Sequence, residues 1–148
     1  MNPIESGGRP ANRDARYRVM LTMWVAFLIT IGIFLLVVNL AQTKSEGDYG
    51  NNPMLFWIFV GMGFFMFALS FLLKKMFLAQ SVARQSVAMV QSAHIIAFAM
   101  CEVAAIFGLI LRFMTGARFY YLLFIIAWLG ILLHMPRRAQ LLDASFKK

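Results

Sequence analysis

Four long apolar runs leave this chain very little choice of fold. They cover residues 19–41, 54–73, 93–111 and 119–135, and between them they take up most of the 148 residues. A membrane crossing needs about 20 consecutive apolar residues, with a working range of about 17–25. The first three runs meet that length directly. The fourth meets it if Arg118 and Arg137, which bracket it, extend to the two interfaces. Overall 61% of the chain is hydrophobic and 14% is charged, and a soluble domain of this size has no core large enough to hide that excess. The expectation is an all-α, polytopic integral membrane protein with four transmembrane helices over 18–136, a basic N-terminal tail over 1–17 and a basic C-terminal tail over 137–148.

The net charge of +8 follows topology rather than nucleic-acid binding. Eleven of the 14 basic residues lie before helix 1, between helices 2 and 3, or after helix 4; only Lys44, Arg112 and Arg118 fall on the other side. The positive-inside rule then places both termini in the cytoplasm and the chain, as a multi-pass protein, in the cell inner membrane. The first run follows a basic segment as a signal peptide would, but its length marks a retained anchor. Membrane lipids and other membrane subunits, or further copies of the chain, are the expected partners. Nucleic acid is not.

Local signals punctuate the runs. Residues 1–16, rich in Gly, Pro, Asn and Arg, read as disordered or partner-bound. Pro53 suits the first turn of helix 2, where its missing N–H costs nothing. Thr115-Gly116 breaks the chain between helices 3 and 4, and Pro136 ends helix 4. Residues 64–107 contain no glycine or proline, so helices 2 and 3 are expected to run past the bilayer to a tight turn near 83–86. Tyr17, Trp24, Tyr120 and Tyr121 suit interfacial belts.

Chemistry is concentrated at one position. Glu102 stands in the centre of the third run, where an ionisable side chain costs about 3 kcal/mol to insert. That cost must be offset by a partner, an aqueous cavity, an ion or a proton. On the same helix Ala93, Ala97, Cys101, Ala104, Ala105 and Gly108 recur at helical spacing and make one small-residue face, which lets a neighbouring helix approach closely. Glu102 lies on the flank of that face and is expected to point at a helix contact. It reads as a proton or cation site, or as a bonded carboxyl holding helices or subunits together. His94, about 12 Å along the axis at 1.5 Å per residue, is a candidate for proton access through water, or an interfacial histidine bonded to a carbonyl. His94 and His134 have no ligand spacing, so no metal site or other cofactor is expected. Phosphate loops, triads and CxxC motifs are absent, so no enzymatic site is expected.

Ser81-Val82-Ala83-Arg84-Gln85, followed by Ala99-Met100-Cys101-Glu102-Val103-Ala104-Ala105-Ile106-Phe107-Gly108-Leu109, resembles the proteolipid c subunit of rotary ATP synthases. That family carries a cytoplasmic Ala-Arg-Gln-Pro loop and then a helix with an ion-binding carboxylate. The resemblance implies that Glu102 binds a translocated proton or Na⁺ and that Arg84-Gln85 faces a stalk. Ser86 stands where the family has proline, helix 2 lacks the family's small-residue repeat, and helices 1 and 4 have no counterpart in a two-helix subunit. Two functions follow as expectations: an accessory or structural subunit of a larger membrane complex, or ion translocation through Glu102.

Overall fold

A computed structural model describes residues 10–41, 53–84, 86–116 and 118–143. Within them the chain is all-helical, with no strand: α1 Pro10–Leu40, α2 Pro53–Ala83, α3 Val87–Thr115, α4 Tyr121–Leu133 and α5 Arg138–Asp143. Three of these helices, α1, α2 and α3, are long and apolar enough to cross a membrane. By length and composition the chain has the character of a helical membrane protein.

The helix ends follow local chemistry. Pro53 opens α2, a position where its absent donor is not missed. α2 and α3 are joined by a turn of three residues, closed by Ser86 N–H to the Ser81 carbonyl at 3.0 Å. α3 stops at Gly116, whose φ of 62° is left-handed and whose N–H returns to the Arg112 carbonyl. Only glycine adopts that conformation without a side-chain penalty. Arg112 Nη1 donates to the Gly116 carbonyl at 2.9 Å, and its guanidinium lies 5.3 Å from the Tyr120 ring centroid.

α3 is the axis of the bundle. About its most apolar window 44% of residues are buried, against 11% for α1 and for α2. It packs most extensively on α2, then α4, then α1. Ala93, Ala97, Cys101, Ala104 and Ala105 are fully buried, as is Gly108. This small face is filled from within the chain. A side chain on Gly108 would strike Phe124 and Leu123 of α4, one on Gly130 would strike Cys101, and one on Gly63 would strike Leu123. Those contacts are the close helix approaches that small residues permit.

The fourth run holds one helix close to its expected bounds, the 13-residue α4, about 20 Å long at 1.5 Å per residue; beyond the break at Pro136 the six-residue α5 forms where a tail was expected. The two pieces run antiparallel along α3. Phe124 lies at Gly108 and Gly130 at Cys101, while Leu141 of α5 joins Met20 and Val90 in a second small core with Tyr17, Leu78 and Val87 around it. Arg138 stacks on Tyr17 at 4.8 Å. The tails are correspondingly shorter than expected. Residues from Pro10 onward belong to α1 rather than to a disordered tail, and Arg138–Asp143 is helical. Residues 1–9, the loop 42–52 and the last five residues lie outside the described segments.

Candidate functional site

The polar groups of the bundle gather where α4 ends. Pro136 cannot donate a backbone hydrogen bond and disfavours helix in the residue before it, so α4 terminates at His134. A terminating helix leaves up to four carbonyls without helical partners, and inside an apolar bundle each needs a donor. The His134 backbone N–H is shared between the Gly130 and Ile131 carbonyls at 3.1 Å, and three side chains from three parts of the chain add donors at this end. His134 Nδ1–H donates to the Gly130 carbonyl at 2.8 Å. Trp24 Nε1–H of α1 donates to the Ile131 carbonyl at 2.8 Å. Lys74 Nζ of α2 donates to the His134 carbonyl at 3.2 Å. Lysine also suits the negative end of the α4 dipole. Trp24, expected in an interfacial belt, thus turns inward instead, to the Ile131 carbonyl, which otherwise has only a share of the His134 backbone N–H at 3.1 Å.

Ser70 and Cys101 complete the node. Ser70 Oγ lies 3.3 Å from His134 Nε2 and 2.6 Å from the Phe67 carbonyl, and Cys101 S–H donates to Ser70 Oγ at 3.7 Å. Phe71 closes over the imidazole, edge-on at 4.3 Å. With His134 Nδ1–H committed to Gly130, Nε2 of the neutral ring is an acceptor. The single Ser70 proton is shared unequally, and the shorter bond goes to the Phe67 carbonyl. A serine within reach of a histidine is the starting geometry for a nucleophile, but Ser70, His134 and Cys101 are all 0% exposed. No face is open to a substrate. The node ties α2, α3 and α4 together. Trp24→Phe, which keeps the ring and removes the donor, is expected to destabilise the bundle by about 0.5–1.5 kcal/mol for the lost hydrogen bond, the Ile131 carbonyl keeping the His134 N–H. Equilibrium unfolding in a denaturing detergent would measure it, and an unchanged midpoint would remove Trp24 from the cap.

His94 sits one layer nearer α5. It is 1% exposed, its Nδ1–H donates to the Val90 carbonyl at 2.9 Å, and its ring lies 6.0 Å from that of Phe98. His94 Nε2 and the Gln140 side-chain Oε1 are both buried with no hydrogen-bond partner among the described residues. Turning that amide so that its NH₂ meets Nε2 satisfies the neutral ring. His94 and His134 do fall on packed helices, α3 and α4, but among the described residues no group of three His, Cys, Asp or Glu side chains is arranged to hold a metal ion.

Glu102 is not part of this node. It lies roughly 110° around α3 from the middle of the buried stripe, at about 100° per residue. It is partly exposed. Among the described residues it makes no hydrogen bond or ion pair. The hydroxyls in the helices behave differently: Thr22, Thr30, Ser92 and Thr115 each return to a carbonyl four residues earlier. Among the described residues no chain of hydrogen-bonded protein groups links His94 to Glu102, whose expected connection runs through water.

Sequence reasoning missed Ser70, Lys74 and Trp24. The signal available was weak: one serine and one indole inside apolar runs, and a lysine at the edge of one. Comparison with family models, with curated proteins and with solved structures found no match.

Proposed function

We propose that this chain is a non-catalytic, four-crossing protein of the inner membrane, with both termini in the cytoplasm, that serves as an accessory or structural subunit of a larger membrane complex. One observation carries the reading. Glu102, near the middle of the most buried helix, is partly exposed and makes no hydrogen bond or ion pair among the described residues, whereas the polar groups at the end of α4 are bonded from within. A carboxyl left at mid-span is stable when a protein neighbour meets it. In this reading the fourth crossing is assembled from α4, the break and α5, which lie beside α3 from Gly108 to Val90. The basic residues at the α5 end suit anionic lipid headgroups or acidic partner surfaces.

Purification in a mild detergent followed by native mass spectrometry tests the subunit reading. Co-purification of a defined membrane partner is the expected result; a stable monomer under all gentle conditions would end it. Topology has its own test. With Cys101 buried, single cysteines at the exposed positions Arg84 and Arg118 report the two sides. A membrane-impermeant maleimide added outside whole cells is expected to label Arg118→Cys and spare Arg84→Cys. The reverse pattern would invert the protein. Ser81, in the same turn, is unsuitable because it is 1% exposed.

Ion translocation through Glu102 is the second reading, favoured by the exposure of the same carboxyl and by the c-subunit resemblance. It predicts reaction with a lipid-soluble carbodiimide and loss of proton or Na⁺ flux in Glu102→Gln with assembly intact. A flux equal to the parent in that variant would leave the subunit reading alone.

A further inference from the structure

One side of α3 has no neighbour in the bundle. α2 meets α3 on one flank, through Phe59 against Phe107 at 5.8 Å and Gly63 beside Ala104. α1 meets it on the other, through Phe27 against Phe98 at 5.6 Å. α4 sits between them on the inner side, against Cys101 and Gly108, and α1 and α2 hardly touch. Ala99 and Ile106 therefore face outward and are exposed, with Glu102 on the edge of the same strip.

Everything else on this surface at mid-depth suits lipid. Glu102 does not, and nothing among the described residues meets it. Lys74 is turned into the bundle and held on the His134 carbonyl; the other described lysines and arginines lie toward the ends of the bundle, Arg16, Arg18, Lys75, Arg84, Arg137 and Arg138 at one, Arg112 and Arg118 at the other. The nearest along α3, Arg112, is ten residues away, about 15 Å at 1.5 Å per residue, and its Nη1 is already bonded to the Gly116 carbonyl. A second copy in the same orientation brings its cations to the same two levels. It can set only carboxyl against carboxyl, or carboxyl against hydrocarbon, at the depth of Glu102.

We infer that the outward strip of α3 around Ala99, Glu102 and Ile106 is the docking surface for a membrane-spanning helix of a different polypeptide that carries a lysine or arginine at the same depth. This rests on the subunit reading above and supplies its partner chemistry. Ala99 lets the incoming backbone come close, and the basic side chain reaches Glu102 from the side that α1 and α2 leave open. In a medium without competing water, each charge offsets part of the cost of inserting the other.

Photo-crosslinking in native membranes tests it. Benzoylphenylalanine is placed singly at Ala99 and Ile106, and for comparison at Ile33 of α1 and Leu129 of α4, both exposed on other faces. Products are identified by mass spectrometry. The expected result is a heterologous crosslink from Ala99 and Ile106, absent from Ile33 and Leu129, to a membrane protein with a basic residue inside one span. Glu102→Lys is then expected to reduce the recovered complex at least tenfold, exchange of the partner's basic residue for glutamate to do the same, and the two changes together to restore it. Continued protection of Cys101 from maleimide in Glu102→Lys and in Glu102→Gln separates a docking defect from misfolding. Crosslinks from Ala99 to a second copy of this chain overturn the inference, as does a partner without a basic residue at that depth, or a double variant that fails to recover while both chains stay folded. Crosslinks confined to Ile33 or Leu129 overturn the surface and leave the subunit reading standing. Crosslinks from no position, with a monomer in native mass spectrometry, remove both.

Discussion

Gly130→Leu is expected to separate α4 from α3 and to cost more than about 3 kcal/mol, the upper end of the usual overpacking range. A single Cβ at this position already falls 2.5 Å from Cys101 Sγ, 3.3 Å from Cys101 Cβ and 3.2 Å from Phe67 Cδ2. None of these atoms is the loose end of a long side chain. Cys101 is fully buried and Phe67 is wedged between Phe64 and Phe71, at centroid distances of 6.1 and 5.1 Å. The helices must therefore part, and the capped end of α4 moves with them. Gly61 is the control. Nothing lies within 4 Å of a Cβ built there, so Gly61→Leu is expected within about 0.5 kcal/mol of the parent, as for a surface position. The native Cys101, the chain's single cysteine, reports the outcome through its rate of reaction with a maleimide in detergent. It should react far faster in Gly130→Leu and unchanged in Gly61→Leu. Equal rates in the two variants would mean that the α3–α4 contact is not the tight one described.

What the sequence made legible is what local chemistry decides. The apolar runs, Pro53 at a helix start, Gly116 at a helix stop and the short turn after Ala83 all depend on residues within a few positions of one another. The small face of α3 was legible too, because 3.6-residue spacing is a property of one segment. The α4 break was legible only as a stop at Pro136, not as a node. Its donors come from far along the chain: Trp24 bonds a carbonyl 107 residues away, Ser70 meets a histidine 64 residues away, and Lys74 a carbonyl 60 residues away. Nothing in a single run announces such a partner. The sequence marked Glu102 as costly, but only the packing of α1, α2 and α4 reveals that its side of α3 is the uncovered one.

Loss of the His134 side chain is expected to disrupt the α4 end more than loss of any other single group there. Its ring serves three neighbours at once: it bonds the Gly130 carbonyl, stands against Ser70 Oγ and fills the space under Phe71. His134→Ala removes the bond and leaves a cavity in a site that is 0% exposed. A buried large-to-small change costs about 2–5 kcal/mol, and the weakened carbonyl cap adds to it. The backbone carbonyl of residue 134 survives, so the Lys74 bond is retained and the loss is assigned to the ring. Ser70→Ala is the comparison: Phe67 keeps its helical hydrogen bond, the volume change is one oxygen, and the expected cost is about 0.5–1.5 kcal/mol. With tenfold in an equilibrium for each 1.4 kcal/mol, opening of the node, read as Cys101 labelling, should rise roughly 100-fold or more in His134→Ala and about tenfold or less in Ser70→Ala. If His134→Ala labels within about twofold of the parent, the imidazole does not hold the broken helix, and Trp24 and Lys74 alone cap α4.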